Sequence, residues 1–250
     1  MTTSLITGAT AGIGHEYARQ LAARGDDLVL VARNAERLEQ VAAELRAAHR
    51  VEVEVLVADL VDRDQLALVE ARLADRERPI DLLVNNAGFG LKKRFLDNTL
   101  EEETEMLEVL VTAVLRLSHA ALGPMAERGS GGIINVSSVA AFLPRGTYSA
   151  AKAWVNSFSE WAHLEYTSRG VSVMALCPGF TKTEFHERMQ VTRGDGFMWL
   201  EVDFLVRKSL KDFDKGRAYS IPGAQYKTII ALTRAIPKRA LRLTQSIGRR

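Results

Sequence analysis

The hydrophobic positions of this chain follow two alternating periods. Six short runs rich in Val, Leu and Ile predict buried strands, namely SLITGA, DLVLVAR, VEVEVLVADL, IDLLVNNAG, GGIINVSS and VSVMALCPG. Between them lie stretches of helical spacing, the first marked by Ile13, Tyr17 and Leu21 and the longest running from about Glu101 to Glu127. Strands that alternate with helices of this length predict right-handed crossovers and a parallel sheet covered on both faces. The pattern therefore predicts a doubly wound α/β domain.

The chain has 250 residues, no linker rich in Pro, Gly or Ser, and no internal repeat, so we predict a single domain over 1–250. Regularity fails between about Thr181 and Lys215, where we predict a substrate loop (181–215). Its apolar side chains suggest a hydrophobic substrate and equally fit an ordinary core: Phe185, Met189, Phe197, Met198, Trp199 and Phe204. KGRAYSIPG predicts a final strand ending at Pro222, followed by helical remnants and a basic tail over about 236–250.

Composition and charge narrow the class of protein. Hydrophobic residues make up 47% of the chain and charged ones 26%, as in ordinary soluble domains, and the single cysteine, Cys177, excludes an internal disulfide. No run approaches the roughly 18 apolar residues of a membrane span, and no basic leader precedes the first strand, so we expect a cytoplasmic protein. From Arg207 onward twelve Lys or Arg face two Asp or Glu. This basic end could meet anionic lipid or nucleic acid, although a solvated surface explains it more simply and we expect no nucleic-acid partner.

A glycine-rich turn, TGATAGIG, follows the first predicted strand and opens the first helix. Gly8, Gly12 and Gly14 would let the chain turn sharply and let a pyrophosphate approach backbone N–H groups at the positive end of a helix. Their spacing differs from G-x-G-x-x-G, so the generic dinucleotide fingerprint is not matched literally. The placement after a first strand still favours a nucleotide site.

The ends of the second and third strands indicate which nucleotide binds. The second strand ends in Ala32 and Arg33, where an acidic residue would suit the ribose of NAD and a basic one suits the 2′-phosphate of NADP. We therefore predict NADP (NADPH), although Arg33 could simply be solvated. Asp59 closes the third strand, where its carboxylate can receive the adenine amino group.

The pentapeptide YSAAK places a phenol and an ammonium four residues apart on one predicted helix. Tyr148 and Lys152 would therefore lie on the same face, one turn apart. A nearby cation favours phenolate, so we expect Lys152 to lower the pKa of Tyr148. Ser137 and Ser138 end the preceding strand, and strand alternation sends their hydroxyls to opposite faces. The histidines and the cysteine show no metal-ligand spacing.

These motifs together resemble the short-chain dehydrogenase/reductase family over roughly residues 3–185. The resemblance rests on T-G-x-x-x-G-x-G at 7–14, NNAG at 85–88, the Ser-containing strand end at 137–138, Y-x-x-x-K at 148–152 and PG at 178–179. It implies a Rossmann-like domain, a nicotinamide cofactor, hydride transfer between a carbonyl and an alcohol, and a homodimer or homotetramer built partly on the two long helices.

The resemblance also implies a role for each matching residue. Ser138 would hydrogen-bond the substrate oxygen, Tyr148 would be the general acid/base, and Lys152 would bind the nicotinamide ribose. The pyrophosphate and its turn would be held or shaped by Thr7, Gly8, Thr10, Gly12, Ile13 and Gly14. The adenosine would be enclosed by Asp59, Leu60, Asn86, Ala87 and Gly88, and the nicotinamide carboxamide would be framed by Pro178, Gly179, Thr181 and Thr183.

Two features depart from the family pattern. Nine residues separate Ser138 from Tyr148, where the family commonly has about a dozen, which predicts a shortened loop. Leu110 stands where the family usually places an asparagine that holds a water linked to the lysine, and a leucine side chain has no donor or acceptor. We therefore expect an NADP-dependent oxidoreductase that reduces a hydrophobic ketone or aldehyde, with activity reduced or relayed another way. The alternative is a low-activity sensor or scaffold that binds NADP.

Overall fold

Seven parallel strands form one sheet with helices on both faces. In the computed structural model, residues 2–183 and 196–235 are described, with side chains up to 232. The strands are β1 (Thr3–Thr7), β2 (Asp27–Ala32), β3 (Val53–Val57), β4 (Leu82–Asn85), β5 (Gly131–Val136), β6 (Val171–Leu176) and β7 (Tyr219–Ser220). The helices are α1 (Gly12–Ala22), α2 (Ala35–His49), α3 (Arg63–Ala74), α4 (Leu100–Leu107), α5 (Ala113–Arg128), α6 (Thr147–Tyr166), α7 (Val202–Phe213) and α8 (Ala224–Ala235). The predicted doubly wound α/β class is confirmed.

The strand order β3-β2-β1-β4-β5-β6-β7 creates a switch point beside β1. The chain leaves β1 towards β2 on one side, and β4 returns to pair with β1 on the other side. In open parallel sheets the crevice outside the carboxyl ends of such strands is where ligands bind. The two loops that follow β1 and β4 are the glycine turn and NNAG, so the topology brings those two motifs together.

Two hydrophobic clusters cover the faces of the sheet. One packs α1, α2, α7 and α8 against the strands through residues such as Leu21, Leu38 and Leu205. The other packs α3, α5 and α6 through residues such as Leu66 and Leu117. Because both faces are covered, most positions of the central strands are apolar, which explains why they stand out in the sequence.

The long predicted helix is continuous from Leu100 to Arg128 but changes pitch in its middle. Residues Glu108–Thr112 form a π-helical turn between α4 and α5, a feature often found at functional sites. By length and composition this helix could cross a membrane, contrary to our expectation that no run approaches a span. In the fold, Leu110 and Leu117 are buried, as expected of a helix that covers a sheet.

The predicted irregular stretch from Thr181 to Lys215 is wrong in its second half, where Val202–Phe213 form α7. Its apolar stripe, which includes Leu205 and Leu210, is buried, whereas glycines and mixed aromatic residues before it mask the helical period. The predicted last strand is observed as the two residues Tyr219–Ser220. Phe185, Met189 and the basic tail lie outside the described residues.

Candidate active site

The glycine turn after β1 leaves the start of α1 open. Gly8 and Gly12 have φ of +67° and +55°, which an L side chain rarely adopts, and the N-cap residue of α1 is Ala11, which has no polar side chain. The first N–H groups of an eleven-residue helix therefore face the crevice without a side-chain cap. A pyrophosphate supplies acceptors for such groups, so the cradle fits a dinucleotide.

The NNAG segment holds this turn in place. The Asn86 amide nitrogen donates to the carbonyls of Thr7 and Gly8 at 2.9 and 3.2 Å, and the Thr7 hydroxyl accepts from the N–H groups of Asn86 and Ala87 at 3.0 Å each. A Cβ on Gly14 would lie 2.3 Å from that amide nitrogen, so only glycine fits. Thr7 is therefore buried and shapes the turn, and the Asn86 side chain holds that turn in place, while their contacts with a cofactor stay predictions.

The corner beyond β2 and β3 carries the two predicted adenosine contacts. The Arg33 guanidinium lies 3.6 Å from the Asp59 carboxylate, and both side chains remain accessible. The same carboxylate accepts from the N–H of Val61 at 3.1 Å, which fixes its position. Leu60 and Ala87 line a small space beside Thr7 and Asn85. These residues come together as the sequence predicts.

Ser138 and Tyr148 face each other across the carboxyl edge of the sheet. Ser138 follows β5 and caps the short 3-10 helix Val139–Phe142 by accepting from the N–H of Ala140 at 3.1 Å. Its hydroxyl is also hydrogen-bonded to the Tyr148 hydroxyl. Ser137 points the other way and donates to the carbonyl of Lys152 at 3.0 Å. The two serine hydroxyls therefore point in different directions, as strand alternation predicts.

Lys152 lies one turn below Tyr148 on α6 and is 4% exposed. Its Nζ donates to the carbonyl of Val136 at 2.7 Å and lies 5.9 Å from the centroid of the Tyr148 ring. Gly88 lies against the same ammonium, since a Cβ built there would be 3.9 Å from Nζ. The strand end, the NNAG loop and α6 thus enclose one cation beneath the phenol.

Burial controls the protonation of this pair. It raises the pKa of Tyr148 to about 12, against a smaller lowering by the Ser138 hydrogen bond, although part of the side chain stays accessible. It also lowers the pKa of Lys152 to about 8, with Cys177 acting in the opposite direction. The pKa of the phenol is therefore raised overall and not lowered as expected, because desolvation by burial is the largest effect on it. A phenol with a raised pKa is protonated at neutral pH and can donate a proton.

Leu110 closes the space behind the lysine. It lies in the π-helical turn, is fully buried, and clusters with Met106 and Ala151 next to Tyr148. Its Cδ2 would be 2.8 Å from a Cβ on Gly88, the same glycine that lies against Nζ. The position predicted to lack a relay asparagine therefore lies at the site, and an apolar group fills it.

Comparison with known proteins agrees with this geometry. Residues 2–193 match the family described as short chain dehydrogenase. The chain belongs to this family. A solved short-chain dehydrogenase from Sphingobium yanoikuyae, in complex with NADPH, is 37% identical with a TM-score of 0.86, and the alignment covers 94% of both chains. A bulky-bulky ketone specific alcohol dehydrogenase from Comamonas testosteroni is 31% identical with a TM-score of 0.82, over 99% of this chain and 95% of that one.

Curated relatives match a shorter stretch of this chain. The very-long-chain 3-oxoacyl-CoA reductase of Anas platyrhynchos is 36% identical over 189 residues, 72% of this chain. The inactive hydroxysteroid dehydrogenase-like protein 1 of Homo sapiens is 32% identical over 185 residues, also 72% of this chain. The matches span 60% and 56% of those relatives' own lengths.

The loop after β6 is fixed from behind by α8. Thr181 and Thr183 are buried, and their hydroxyls donate to the carbonyls of Gly179 and Thr181 at 3.0 and 3.5 Å. Thr183 also lies against the glycine turn, since a Cβ built on Gly12 would be 3.2 Å from the Cβ of Thr183. The residues predicted to frame the carboxamide therefore lie beside the nucleotide cradle, with their hydroxyls engaged within the loop.

Gly179 is required because the Tyr226 ring of α8 occupies the space of a side chain. A Cβ at Gly179 would lie 1.9 Å from that ring, whose hydroxyl accepts from the N–H of Phe180 at 2.7 Å. We expect Gly179→Ala to lower the free energy of unfolding by about 1–3 kcal/mol and to weaken NADPH binding, measured by chemical denaturation and cofactor fluorescence. Gly123→Ala is the control, because that exposed helical position has open space. Equal behaviour of the two variants would contradict this role of Tyr226.

Two residues of the site did not stand out in the sequence. Arg37 lies in the first turn of α2, four residues after Arg33, and this i, i+4 spacing of two arginines at a strand-to-helix junction was the available signal. Glu103 is 5% exposed and accepts a hydrogen bond from Thr147, the residue before Tyr148. It sits within the run EEETE, whose other members look like an ordinary solvated helix start, so the sequence offered no signal for it.

Proposed function

We propose that the protein is an NADP(H)-dependent reductase of a ketone or aldehyde on a hydrophobic molecule. The observation that carries the proposal is the position of the Tyr148 hydroxyl, hydrogen-bonded to Ser138 and lying above the buried Lys152 at the carboxyl edge of the sheet. General acid catalysis needs a donor within hydrogen-bond reach of the reacting oxygen, and the two adjoining hydroxyls offer that geometry.

The residues divide the reaction between them. The nicotinamide supplies the hydride when it is bound. Ser138 orients the carbonyl oxygen by a hydrogen bond, and Tyr148 gives its proton to the oxygen as negative charge develops there. Lys152 would bind the nicotinamide ribose and offset the charge left on the phenolate. With its pKa raised by burial, Tyr148 is protonated at neutral pH, as reduction of a carbonyl requires of its proton donor.

The preference for NADP is supported by the charge beyond β2. Arg33 and Arg37 flank the start of α2, whose N-terminus is itself an electropositive end. A 2′-phosphate there would meet two guanidiniums, and arginine suits phosphate through bidentate hydrogen bonding. The similar Sphingobium yanoikuyae dehydrogenase is in complex with NADPH.

A hydrophobic substrate is supported by the apolar wall around the phenol. Phe89, Leu91 and Val111 pack with the cluster that contains Leu110 and adjoins Tyr148. An aromatic pair lies in the chain beyond β6, where Phe180 and Trp199 have ring centroids 5.4 Å apart. The names of similar proteins point to bulky ketones and to 3-oxoacyl-CoA thioesters, and these two classes are the first substrates to test.

The coenzyme preference is tested at Arg33. Loss of charge-assisted hydrogen bonds to a phosphate should lower kcat/KM for NADPH by about 10- to 100-fold in Arg33→Ala and leave that for NADH nearly unchanged. Arg24→Ala is the control, since it removes another surface arginine that pairs with Asp214 at 3.3 Å. A wild type that strongly prefers NADH would overturn the assignment.

A low-activity NADP-binding sensor or scaffold is the second candidate. The buried Leu110 beside Lys152 favours it, because no polar group stands at that position to hold a water. One of the curated relatives is itself described as inactive. Replacing Tyr148 by Phe separates the two functions, since a binding protein would keep its biological role and an enzyme would lose it.

A further inference from the structure

The first turn of α6, which carries Tyr148, lacks a cap of its own. Its N-cap residue is Gly146, with φ of 109° and no side chain, and Thr147 is the first helical residue. The first four N–H groups of a helix have no acceptor within the helix, so an uncapped first turn is the part most easily displaced. Tyr148 occupies the second position of that turn, at the end of the shortened loop from Ser138.

A buried carboxylate from a neighbouring helix meets this turn. Glu103 of α4 is 5% exposed, and its Oε2 accepts from the Thr147 hydroxyl at 2.6 Å. Its other oxygen, Oε1, accepts from the amide of Asn98 at 2.7 Å. Both carboxylate oxygens therefore have a partner, which is the condition under which a buried charge is tolerated. A carboxylate next to the N-terminus of a helix is also favoured by the helix dipole.

The neighbouring glutamate shows that Glu103 has a separate task. Glu102 accepts from the N–H of Thr99 and completes the capping box of α4, so the start of that helix is already secured. Glu103 takes no part in this capping box and connects the turn before Tyr148 with Asn98, the residue that precedes the N-cap of α4. Through Asn98 it reaches the loop that descends from NNAG, whose Leu91 packs in the cluster beside Tyr148.

We propose that Glu103 is a positioning residue that fixes the first turn of α6, and with it the Tyr148 hydroxyl, against the loop between β4 and α4. This inference rests on the proposed function. A small displacement of a proton donor is costly in rate, because general acid catalysis requires hydrogen-bond contact in the transition state. Glu103 does not touch the reacting atoms, so its loss should lower kcat rather than weaken cofactor binding.

The test compares five variants of the full chain in NADPH-dependent ketone reduction. Glu103→Ala and Thr147→Val should each lower kcat by about 10- to 100-fold, with KM and the Kd for NADPH unchanged. Glu103→Gln should recover most of the activity, because an amide of the same shape can accept from Asn98 and donate to the Thr147 oxygen. Glu105→Ala, an exposed glutamate on the same helix, should match the wild type. Thr147→Val keeps the test open if Glu103→Ala does not fold.

Tyr148→Phe, the fifth variant, distinguishes a failure of the positioning role of Glu103 from a failure of the proposed function. If it is inactive while Glu103→Ala and Thr147→Val match Glu105→Ala, the positioning role is overturned and the proposed function stands. If it retains full activity, the proposed function and the positioning role both fail. A Glu103→Gln variant as impaired as Glu103→Ala would also contradict the positioning role, because hydrogen bonds of the same geometry would then not restore the activity.

Discussion

Replacing Tyr148 with Phe should lower kcat for NADPH-dependent ketone reduction by roughly 10³-fold, the scale expected for loss of a positioned general acid. The ring and its packing against Met106, Leu110 and Ala151 remain, so the fold should be unaffected. The affinity for NADPH should also persist, because the phenol hydroxyl is not part of the glycine turn. Steady-state kinetics, cofactor fluorescence and thermal unfolding measure the three quantities.

Tyr166→Phe is the matched control for this variant. Tyr166 lies at the end of the same helix and packs edge-on against Trp161, remote from Ser138. It should therefore keep the activity of the wild type. If Tyr148→Phe also kept it, proton donation would have to come from another group and the catalytic assignment would be wrong.

The second large effect concerns the buried charge of Lys152. Its folded pKa of about 8 lies below the ordinary value of 10.5, so between these values the unfolded chain binds the proton more tightly. Stability therefore rises with pH across this window, by about 3 kcal/mol for the full shift. Lys152→Met lacks this titration, so the difference in free energy of unfolding, wild type minus variant, should rise by that amount between pH 7 and 10.5. Chemical denaturation at a series of pH values measures it.

This difference is needed because other groups titrate in the same window. The pKa values of Cys177 and Tyr148 are raised by burial, so each destabilises the fold as pH rises through its unfolded value. Both residues are present in the two proteins, so the subtraction removes their contributions apart from the interaction between Cys177 and Lys152. A difference that stays flat with pH would show that Lys152 is hydrated in the folded protein.

Leu110→Asn extends the same test to the missing relay position. An amide at this position should hold a water beside the Lys152 ammonium. That water should bring the pKa of Lys152 closer to 10.5 and reduce the pH-dependent rise in stability. If proton exchange at Lys152 limits turnover, the variant should also reduce ketones faster than the wild type, above all at the pH where Lys152 begins to lose its proton. An equal rate in the two proteins would show that the absent asparagine is not limiting.

Much of the fold and site could be predicted because the signals are local. The strands are mostly apolar since both faces of the sheet are covered, and the helices keep their period, so element order follows directly. Ser138, Tyr148 and Lys152 meet because one strand end and one helix turn bring them to the same edge. The glycine turn could be recognised for the same reason, since a backbone with positive φ demands glycine at fixed positions.

The rest depends on contacts between distant segments. Thr7 and Asn86 are 79 residues apart in the chain, and each forms hydrogen bonds with the other. Their structural roles therefore could not be predicted from either motif alone. The raised pKa of Tyr148 depends on how thoroughly the packed site is desolvated, which no spacing reports. The roles of Glu103 and Tyr226 likewise follow from α4 meeting α6 and from α8 closing behind Gly179.

The function that we propose is the transfer of a hydride from NADPH to a carbonyl carbon. The most direct measurement uses NADPH deuterated at both C4 positions, the purified full chain, and a panel of bulky ketones and 3-oxoacyl-CoA thioesters, with the products analysed by mass spectrometry. We expect the wild type to form an alcohol that carries one deuterium on the former carbonyl carbon, and Tyr148→Phe not to form it. Bound NADPH recovered unchanged, with no deuterated alcohol from any substrate, would contradict it and favour the sensor or scaffold.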